Sequence, residues 1–374
     1  YVEDPAKATG NDCFTYKPTK NDWYETIKLN YGVDYMNGRT PCFSLVPDTW
    51  EKMKAILLYW AAKGVDGFRC DMAEMVPVEF WNWVIPQVKR KNKSLIFVAE
   101  VYNPALYHSY SHAGFDYLYD KVDLYDTLRD IINHRRPTSD ITFCWQRIDG
   151  LQKKMLNFLE NHDEQRIASD FFASDPFKAI PAMIVAATIN SNPVMIYFGQ
   201  ELGERGMDKE GFSGLDGRTT IFDYWSVDTV RKWRNGGAFG TKGLEAEQIK
   251  LRKLYMQLIQ ACNEDEVINS GNFYDLMYCN YENPSFDPTK QYAYFRYHKK
   301  ELVLVVTNFS AAPAEVSVNL PMEAFTFMDI LPGRLKKAKD LLSKKDIALN
   351  PGWEKSIKLK LDGYSGQIIK FSIG

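Results

Sequence analysis

Three short apolar runs in this sequence end in residues that can do acid–base chemistry. Val65–Arg69 runs into Cys70-Asp71, Leu95–Ala99 runs into Glu100, and Met155–Leu159 leads through Glu160 and Asn161 to His162-Asp163. If the runs are parallel strands of one barrel, their C-terminal ends share one face, and the three carboxylates and the histidine converge there. Paired carboxyl groups at such a face suit glycoside cleavage. One delivers a proton to the leaving oxygen, and the other attacks the anomeric carbon or activates water. Their environments must hold their pKa values apart. Arg69 precedes Asp71 by two residues, so on a strand both face the same side. A guanidinium there favours ionised Asp71. A purely structural Arg–Asp pair at a strand end explains the same spacing equally well.

The elements that must carry these residues are legible in part. Residues 1–47 carry many Asn, Asp, Gly, Pro and Tyr without periodicity, and read as an irregular excursion. A helix follows, with Asp48 as N-cap, Glu51 completing a capping box, and Met53, Ile56, Leu57 and Trp60 on one face. Lys63 and Gly64 stop it. Strands and helices then alternate. The strands are Val65–Arg69, Leu95–Ala99, Phe115–Leu118, Met155–Leu159 and Val194–Phe198. Between them come a helix from Pro77 with Phe80, Trp81, Val84, Ile85 and Val88 inward, one around Leu124–His134, and one opened by Asp175 and Pro176 and running to about Asn190. A charged amphipathic helix around Leu244–Cys262 closes the series. This alternation indicates parallel βα units. From about Gly271 the pattern changes to Gln291–His298, Glu301–Ser310, Ala314–Leu320, Trp353–Leu361 and Ser365–Ile373, an antiparallel sheet or small sandwich.

A closed barrel needs eight strands, so the expected fold class is α/β: a partial TIM (β/α)8-type barrel of about five βα units, strands 4–8, or else an open five-strand sheet, followed by a C-terminal antiparallel β domain. The expected divisions are 1–47, 48–270 and 271–374.

Bulk properties narrow the function. A net charge of −2 offers no basic excess for nucleic acid, and no segment reads as a membrane span. Aromatics are 14% of residues, which suits stacking on pyranose rings, although large cores use aromatics too. The six cysteines show no zinc spacing, and Cys70 is expected as a small buried thiol. One histidine at a strand-end motif is too few for a metal-dependent hydrolase.

Four segments, in order, resemble glycoside hydrolase family 13, the α-amylase family. Gly67-Phe68-Arg69-Cys70-Asp71-Met72-Ala73 is similar to its second conserved region, and Phe97-Val98-Ala99-Glu100-Val101-Tyr102 to its third. Residues Phe158 to Arg166 resemble the fourth, and Tyr197 to Gly203 the segment at the eighth strand. The resemblance implies that Asp71 is the nucleophile, Glu100 the acid/base and Asp163 the third carboxylate. It implies that Arg69 orients Asp71 and that His162 binds sugar hydroxyls; Tyr102, which follows the acid/base, is a substrate-binding candidate at the cleft, with ordinary loop packing equally open. It further implies a retaining reaction on α-glucosidic bonds of starch-derived glucans, with the two carboxyl groups roughly 5–5.5 Å apart.

The departures also matter. The first conserved region is absent, which implies that the N-terminal part of the barrel comes from the same gene product upstream. Glu74-Met75 stand where α-amylases often carry Lys-His, and Ala99 replaces a common Gly. No cofactor is required on this reading, and calcium is not supported by the visible residues. Transfer to another sugar, isomerisation, or a non-catalytic sugar-binding role on the same fold are the alternatives. Asn103 and Tyr107 are further cleft candidates, with ordinary loop packing equally open; Trp225 and Trp233 could stack on sugar, although such residues more often anchor a loop; Glu204-Arg205 and Asp216-Gly217-Arg218 read as loop-fixing or solvated clusters. A polysaccharide substrate favours the periplasm, the cell surface or secretion over the cytoplasm.

Overall fold

The structure, a computed structural model, describes residues 2, 4, 7–207, 215–219, 227–331, 335–348 and 356–373. It comprises two compact units, Tyr1–Tyr119 and Asp120–Gly374.

In the first unit a small antiparallel pair, β1 (Val33–Asp34) and β2 (Thr40–Pro41), interrupts the irregular N-terminal excursion. Helix α1 (Asp48–Ala62) follows. Its expected capping box is not formed. Asp48 is already inside the helix, Pro47 is the N-cap, and no side chain caps the first turn. Asp48 instead pairs with Lys52, and Glu51 with Lys54 at 2.5 Å. The expected apolar face is also not buried. Ile56 and Trp60 are about half exposed, and Trp50 is the residue that anchors α1, against Phe43, Phe80 and Trp83.

Parallel strands β3 (Gly67–Cys70), β4 (Ile96–Ala99) and β5 (Tyr117–Tyr119) then lie side by side in chain order. Gly67 permits the close approach of β3 to β4, because a Cβ there would sit 2.3 Å from the carbonyl oxygen of Ile96. Helix α2 (Val78–Lys89) buries Phe80, Trp81, Val84, Ile85 and Val88, the face expected from its periodicity. Phe80 and Trp81 meet edge to face, and Trp81 meets Phe115 likewise. Each such buried ring contributes roughly 1.5–3 kcal/mol. A short helix, α3 (Tyr107–His112), precedes β5 and had no periodic signal in so brief a segment.

The second unit opens with a π-helical turn, Lys121–Tyr125, that runs into α4 (Asp126–Ile132), where one helix was expected. Helix α5 (Asp140–Arg147) and strand β6 (Met155–Phe158) follow. The expected helix from Asp175 begins as a 3-10 turn, Pro176–Ala179, whose first amides are capped by Asp175, and continues as α6 (Ile180–Thr188). Strand β7 (Val194–Met195) pairs with β6 in parallel and is shorter than expected. After α7 (Asp228–Arg234), helix α8 (Ala246–Glu264) starts with a genuine capping box between Glu245 and Gln248. Helix α9 (Glu266–Asn269) leads into the antiparallel region.

That region holds β8 (Asn272–Asp275), β9 (Gln291–His298), β10 (Glu301–Asn308), β11 (Ala314–Asn319), helix α10 (Met322–Phe327), β12 (Leu335–Asp340), β13 (Asp346–Ile347), β14 (Ser356–Leu361) and β15 (Ser365–Ile373). One sheet has the order β13-β12-β15-β10-β9-β8, and β11 pairs with β14 in a second. Trp353, expected to begin a strand, lies outside the described residues. The architecture changes at about residue 271, yet one apolar core runs across that point, from Leu124 in the π-helical turn through α6 and α8 to β9, β10 and β15. The fold class is a partial (β/α)8-type barrel followed by an antiparallel β domain.

Arg296, on β9, stitches this core. Fully buried, it donates to the carbonyl oxygens of Ile189, Ile268 and Gly271 and to the Ser191 hydroxyl. Burial lowers its pKa to about 10. Arg296→Met leaves three buried carbonyls without that donor and is expected to cost about 2–4 kcal/mol. Urea denaturation checks this; a loss below about 0.5 kcal/mol, the scale of ordinary surface changes, would show that the clamp is dispensable.

Candidate active site

Strand register places the first two carboxylates. Cys70 pairs with Ala99 across β3 and β4, so Asp71 and Glu100 stand side by side one residue beyond both strand ends. The backbone turns sharply there. Met72 adopts a left-handed conformation (φ 40°), unusual for a residue with a side chain. The turn aims its N–H at Glu100 Oε2, 2.8 Å away, and the next amide, of Ala73, donates to the Glu100 carbonyl at 3.0 Å.

Arg69 lies against both carboxylates. Its Nη1 is 3.1 Å from Asp71 Oδ1 and its Nη2 is 2.9 Å from Glu100 Oε1. Tyr119, at the end of β5, supports the guanidinium: Arg69 Nε donates to its hydroxyl at 3.4 Å, with the ring 5.5 Å below. The two carboxylates have unlike surroundings. The Asp71 side chain is 78% exposed, whereas that of Glu100 is 2% exposed. Burial, reinforced by a hydrogen bond with Asp71, raises the Glu100 pKa above the usual carboxylate range; the Met72 amide, Arg69 and the Tyr102 hydroxyl pull against that rise. The two carboxyl groups thus flank one guanidinium. The forked guanidinium draws both onto one cation.

Tyr102 donates from its hydroxyl to Glu100 Oε1 at 2.8 Å. Glu74, to which the sequence assigned no role, accepts the amides of Tyr102 and Asn103 at 3.2 and 3.0 Å. Cys70 is buried, and its thiol is pushed up to about 12 by that burial. Tyr107, a cleft candidate, is buried in the first unit.

In the second unit the turn after β6 carries the other candidates. Asn161 is buried, and its Oδ1 accepts the amides of Asp163 and Glu164 at 2.8 and 2.9 Å, which folds the turn back on itself. His162 Nε2 lies 3.1 Å from Asp163 Oδ2. Beneath them Arg166 is fully buried. It donates to Glu160 Oε2 at 2.8 Å and to the Thr219 hydroxyl, and its guanidinium stacks on Tyr197 at 4.2 Å. Glu164 is bound by Lys121, Arg129 and the Tyr125 hydroxyl. The structure therefore brings Arg69, Asp71, Glu100 and Tyr102 together in the first unit, and His162 with Asp163 in the second. The sequence could have flagged Arg166 and Glu160, since both sit in the quoted motif. Tyr119 gave no such signal, because its function follows from its place beside β4.

Of the loop candidates, Trp233 packs against Phe239 and beneath Arg252, while Trp225 lies outside the described residues. Glu204 accepts the amides of Arg205 and Gly206 and a hydrogen bond from Thr229, and Asp216 accepts that of Arg218, so both clusters fix their loops. Among the described residues no three His, Cys, Asp or Glu side chains group as metal ligands, and no helix is long and apolar enough to cross a membrane.

Residues 45–270, more than half of the chain, match the family described as "Alpha amylase, catalytic domain". The chain belongs to glycoside hydrolase family 13, the α-amylase family. Among its relatives, Alpha-amylase 3 of Dictyoglomus thermophilum is 24% identical over 280 residues, covering 69% of this chain and 54% of that protein. An α-1,4-glucan:maltose-1-phosphate maltosyltransferase of Picrophilus torridus is 40% identical over 53 residues, 14% of this chain and 8% of that protein. Among solved structures, an α-amylase from Geobacillus thermoleovorans complexed with acarbose superposes with a TM-score of 0.64 at 19% identity, covering 87% of this chain and 64% of that one. A maltogenic α-amylase from Thermotoga neapolitana gives 0.60 at 21% identity, covering 91% and 67%. This family member thus spans just over half the length of the curated amylase that it matches.

Proposed function

We propose that this α-amylase-family chain carries the catalytic carboxylates of an enzyme that cleaves α-glucosidic bonds in starch-derived glucans or oligosaccharides with retention. The observation that carries the reading is the pair of unlike carboxylates on Arg69: Glu100 is buried, which raises its pKa, and Asp71 is open to solvent. Glu100 donates its proton to the glycosidic oxygen as the Asp71 carboxylate attacks the anomeric carbon, giving a covalent glycosyl-enzyme. Glu100, now ionised, takes a proton from the water that releases the sugar. Asp163 and His162 bind sugar hydroxyls, and Arg69 orients Asp71.

We further infer that the working barrel includes preceding βα units. In the first unit Ile56, Trp60 and Ile96 leave apolar surface open. In the second, a cavity of about 510 Å³ is lined by Ile196, Tyr255, Met256 and Ile259. Such surfaces suit covering by further strands and helices. A polymeric substrate would favour the periplasm, the cell surface or secretion over the cytoplasm. Transfer to a sugar acceptor is the second reading, favoured by the maltosyltransferase matches, because water and sugar compete for the same glycosyl-enzyme.

The test is sugar release by the full enzyme from maltooligosaccharides, isomaltooligosaccharides and sucrose, with the first-formed anomer read by NMR and Asp71→Asn as control. Release of an α-anomer that depends on Asp71 is the expected result. Products longer than the substrate would favour transfer. A β-anomer would overturn the retaining mechanism. A folded protein that releases nothing from any of the sugars would favour a binding role.

A further inference from the structure

The loops that follow β3 and β4 hold each other reciprocally. From the first loop, the amides of Met72 and Ala73 bind the side chain and carbonyl of Glu100. In the other direction, Glu74 Oε2 receives two successive amides of the second loop, Tyr102 at 3.2 Å and Asn103 at 3.0 Å. The 3-10 turn that carries Glu74, Ala73–Met75, is itself fixed. Trp81 Nε1 donates to the Ala73 carbonyl at 3.1 Å, the Tyr110 hydroxyl to that of Val76 at 2.9 Å, and Lys28 to that of Met75 at 3.4 Å. Beyond the latched amides, Asn103 caps the next short turn through the Ala105 amide at 3.1 Å. The Tyr102 side chain leaves this anchored backbone and donates to Glu100 Oε1 at 2.8 Å.

We propose that Glu74 is a positioning residue: its carboxylate latches the Tyr102–Asn103 backbone so that the Tyr102 hydroxyl stays on Glu100 and fixes the direction of proton delivery. The inference rests on Glu100 being the acid/base. It differs from a sugar-contact role for this position, because Oε2 is already engaged by protein amides. The latch depends on an acceptor at a set reach rather than on charge. Gln can present a carbonyl oxygen at the same place, whereas Asp falls short by one carbon–carbon bond, about 1.5 Å.

The test compares two leaving groups in the full enzyme. A maltooligosaccharide needs the proton from Glu100; a dinitrophenyl α-maltooligoside departs without it. Glu74→Asp and Glu74→Ala are expected to lower kcat on the maltooligosaccharide roughly ten- to a hundredfold, the scale of a 1 Å misplacement. On the activated glycoside kcat/KM, which reports only formation of the glycosyl-enzyme, should change less than about threefold, because that step no longer needs the proton. Glu74→Gln should hold near wild type on both, and adding Tyr102→Phe to Glu74→Ala should cost nothing further. Equal losses on both substrates, a rise in KM with kcat unchanged, or a Glu74→Gln enzyme as slow as Glu74→Ala would each overturn the latch. If Glu74→Ala does not fold, the Asp and Gln variants decide the matter by the same comparison. Should Glu100→Gln itself show no dependence on the leaving group, the assignment of the acid/base fails instead. A normal Glu100→Gln response beside unaffected Glu74 variants sinks the latch alone.

Discussion

Glu100→Gln should lower turnover of maltooligosaccharides by about 10²- to 10⁴-fold, the usual contribution of a positioned acid/base group. The physical basis is the enclosure of Glu100: the Gln amide oxygen can still accept from Arg69 and Tyr102, while its NH2, facing the Met72 amide, cannot accept there and has no acidic proton for the leaving oxygen, so a thermal unfolding scan accompanies the assay to show that the site is still folded. The same substitution carries a stability signature of opposite sign. Burial raises the pKa of Glu100 in the folded state above its ordinary value near 4.3. A raised carboxyl pKa contributes stability that is fully present below the unfolded value and is lost as pH rises through the folded value. The wild type therefore gives up stability across that window, and Gln does not. The Tm difference between variant and wild type should move in favour of Gln as pH is raised from about 4 through neutrality. A difference that stays constant over this range would mean that Glu100 ionises in the fold as it does in water. In the active enzyme the same group sets the basic limb of the rate profile, since only protonated Glu100 can serve the leaving oxygen.

The second large effect concerns Arg166. Removing it by Arg166→Met strands Glu160, which is buried and receives only one other hydrogen bond among those described, from the Ile167 amide. Breaking a buried pair from one side costs about 3–5 kcal/mol. The packing of the guanidinium on Tyr197 and Phe198 and its bond to Thr219 are lost as well. The deficit should depend on pH. Burial already raises the Glu160 pKa, with Arg166 opposing the rise, so without Arg166 the carboxyl is expected to remain protonated further upward. The charged form is what the fold then rejects, and the loss should be smallest at acid pH and grow toward neutrality. Urea denaturation at an acid and a neutral pH measures both. Equal deficits at the two pH values would show that packing, not the stranded charge, dominates. Because Asn161 and Asp163 sit in the same turn as Glu160, the variant should also loosen the His162–Asp163 arrangement.

The α/β class, the order of the strands, the inward face of α2 and the strand-end places of Asp71, Glu100 and Asp163 were legible from the sequence. Each is written in local periodicity or in a contiguous motif, and each is a property of neighbours along the chain. What failed was local too. Asp48 and Glu51 spell a capping box, yet the helix begins a residue earlier and both acids take lysine partners. Strand β12, with the sequence LKKAKD, carries too much charge to be read as a strand, but β15 and β13 pair with it on both sides. The chemistry of the site needed the tertiary structure. Arg69 and Asp71 are two residues apart, and their pairing follows from strand geometry alone. That the same guanidinium also holds Glu100, that Tyr119 supports it, and that Glu74 reaches the amides of Tyr102 and Asn103 are facts of register between β3, β4 and β5. The sequence by itself determined which residues stand at the strand ends. Only the fold decided which of them is buried and which is open on the shared guanidinium, because burial and cross-strand contact, the forces that separate two carboxyl pKa values, act between segments far apart in the chain.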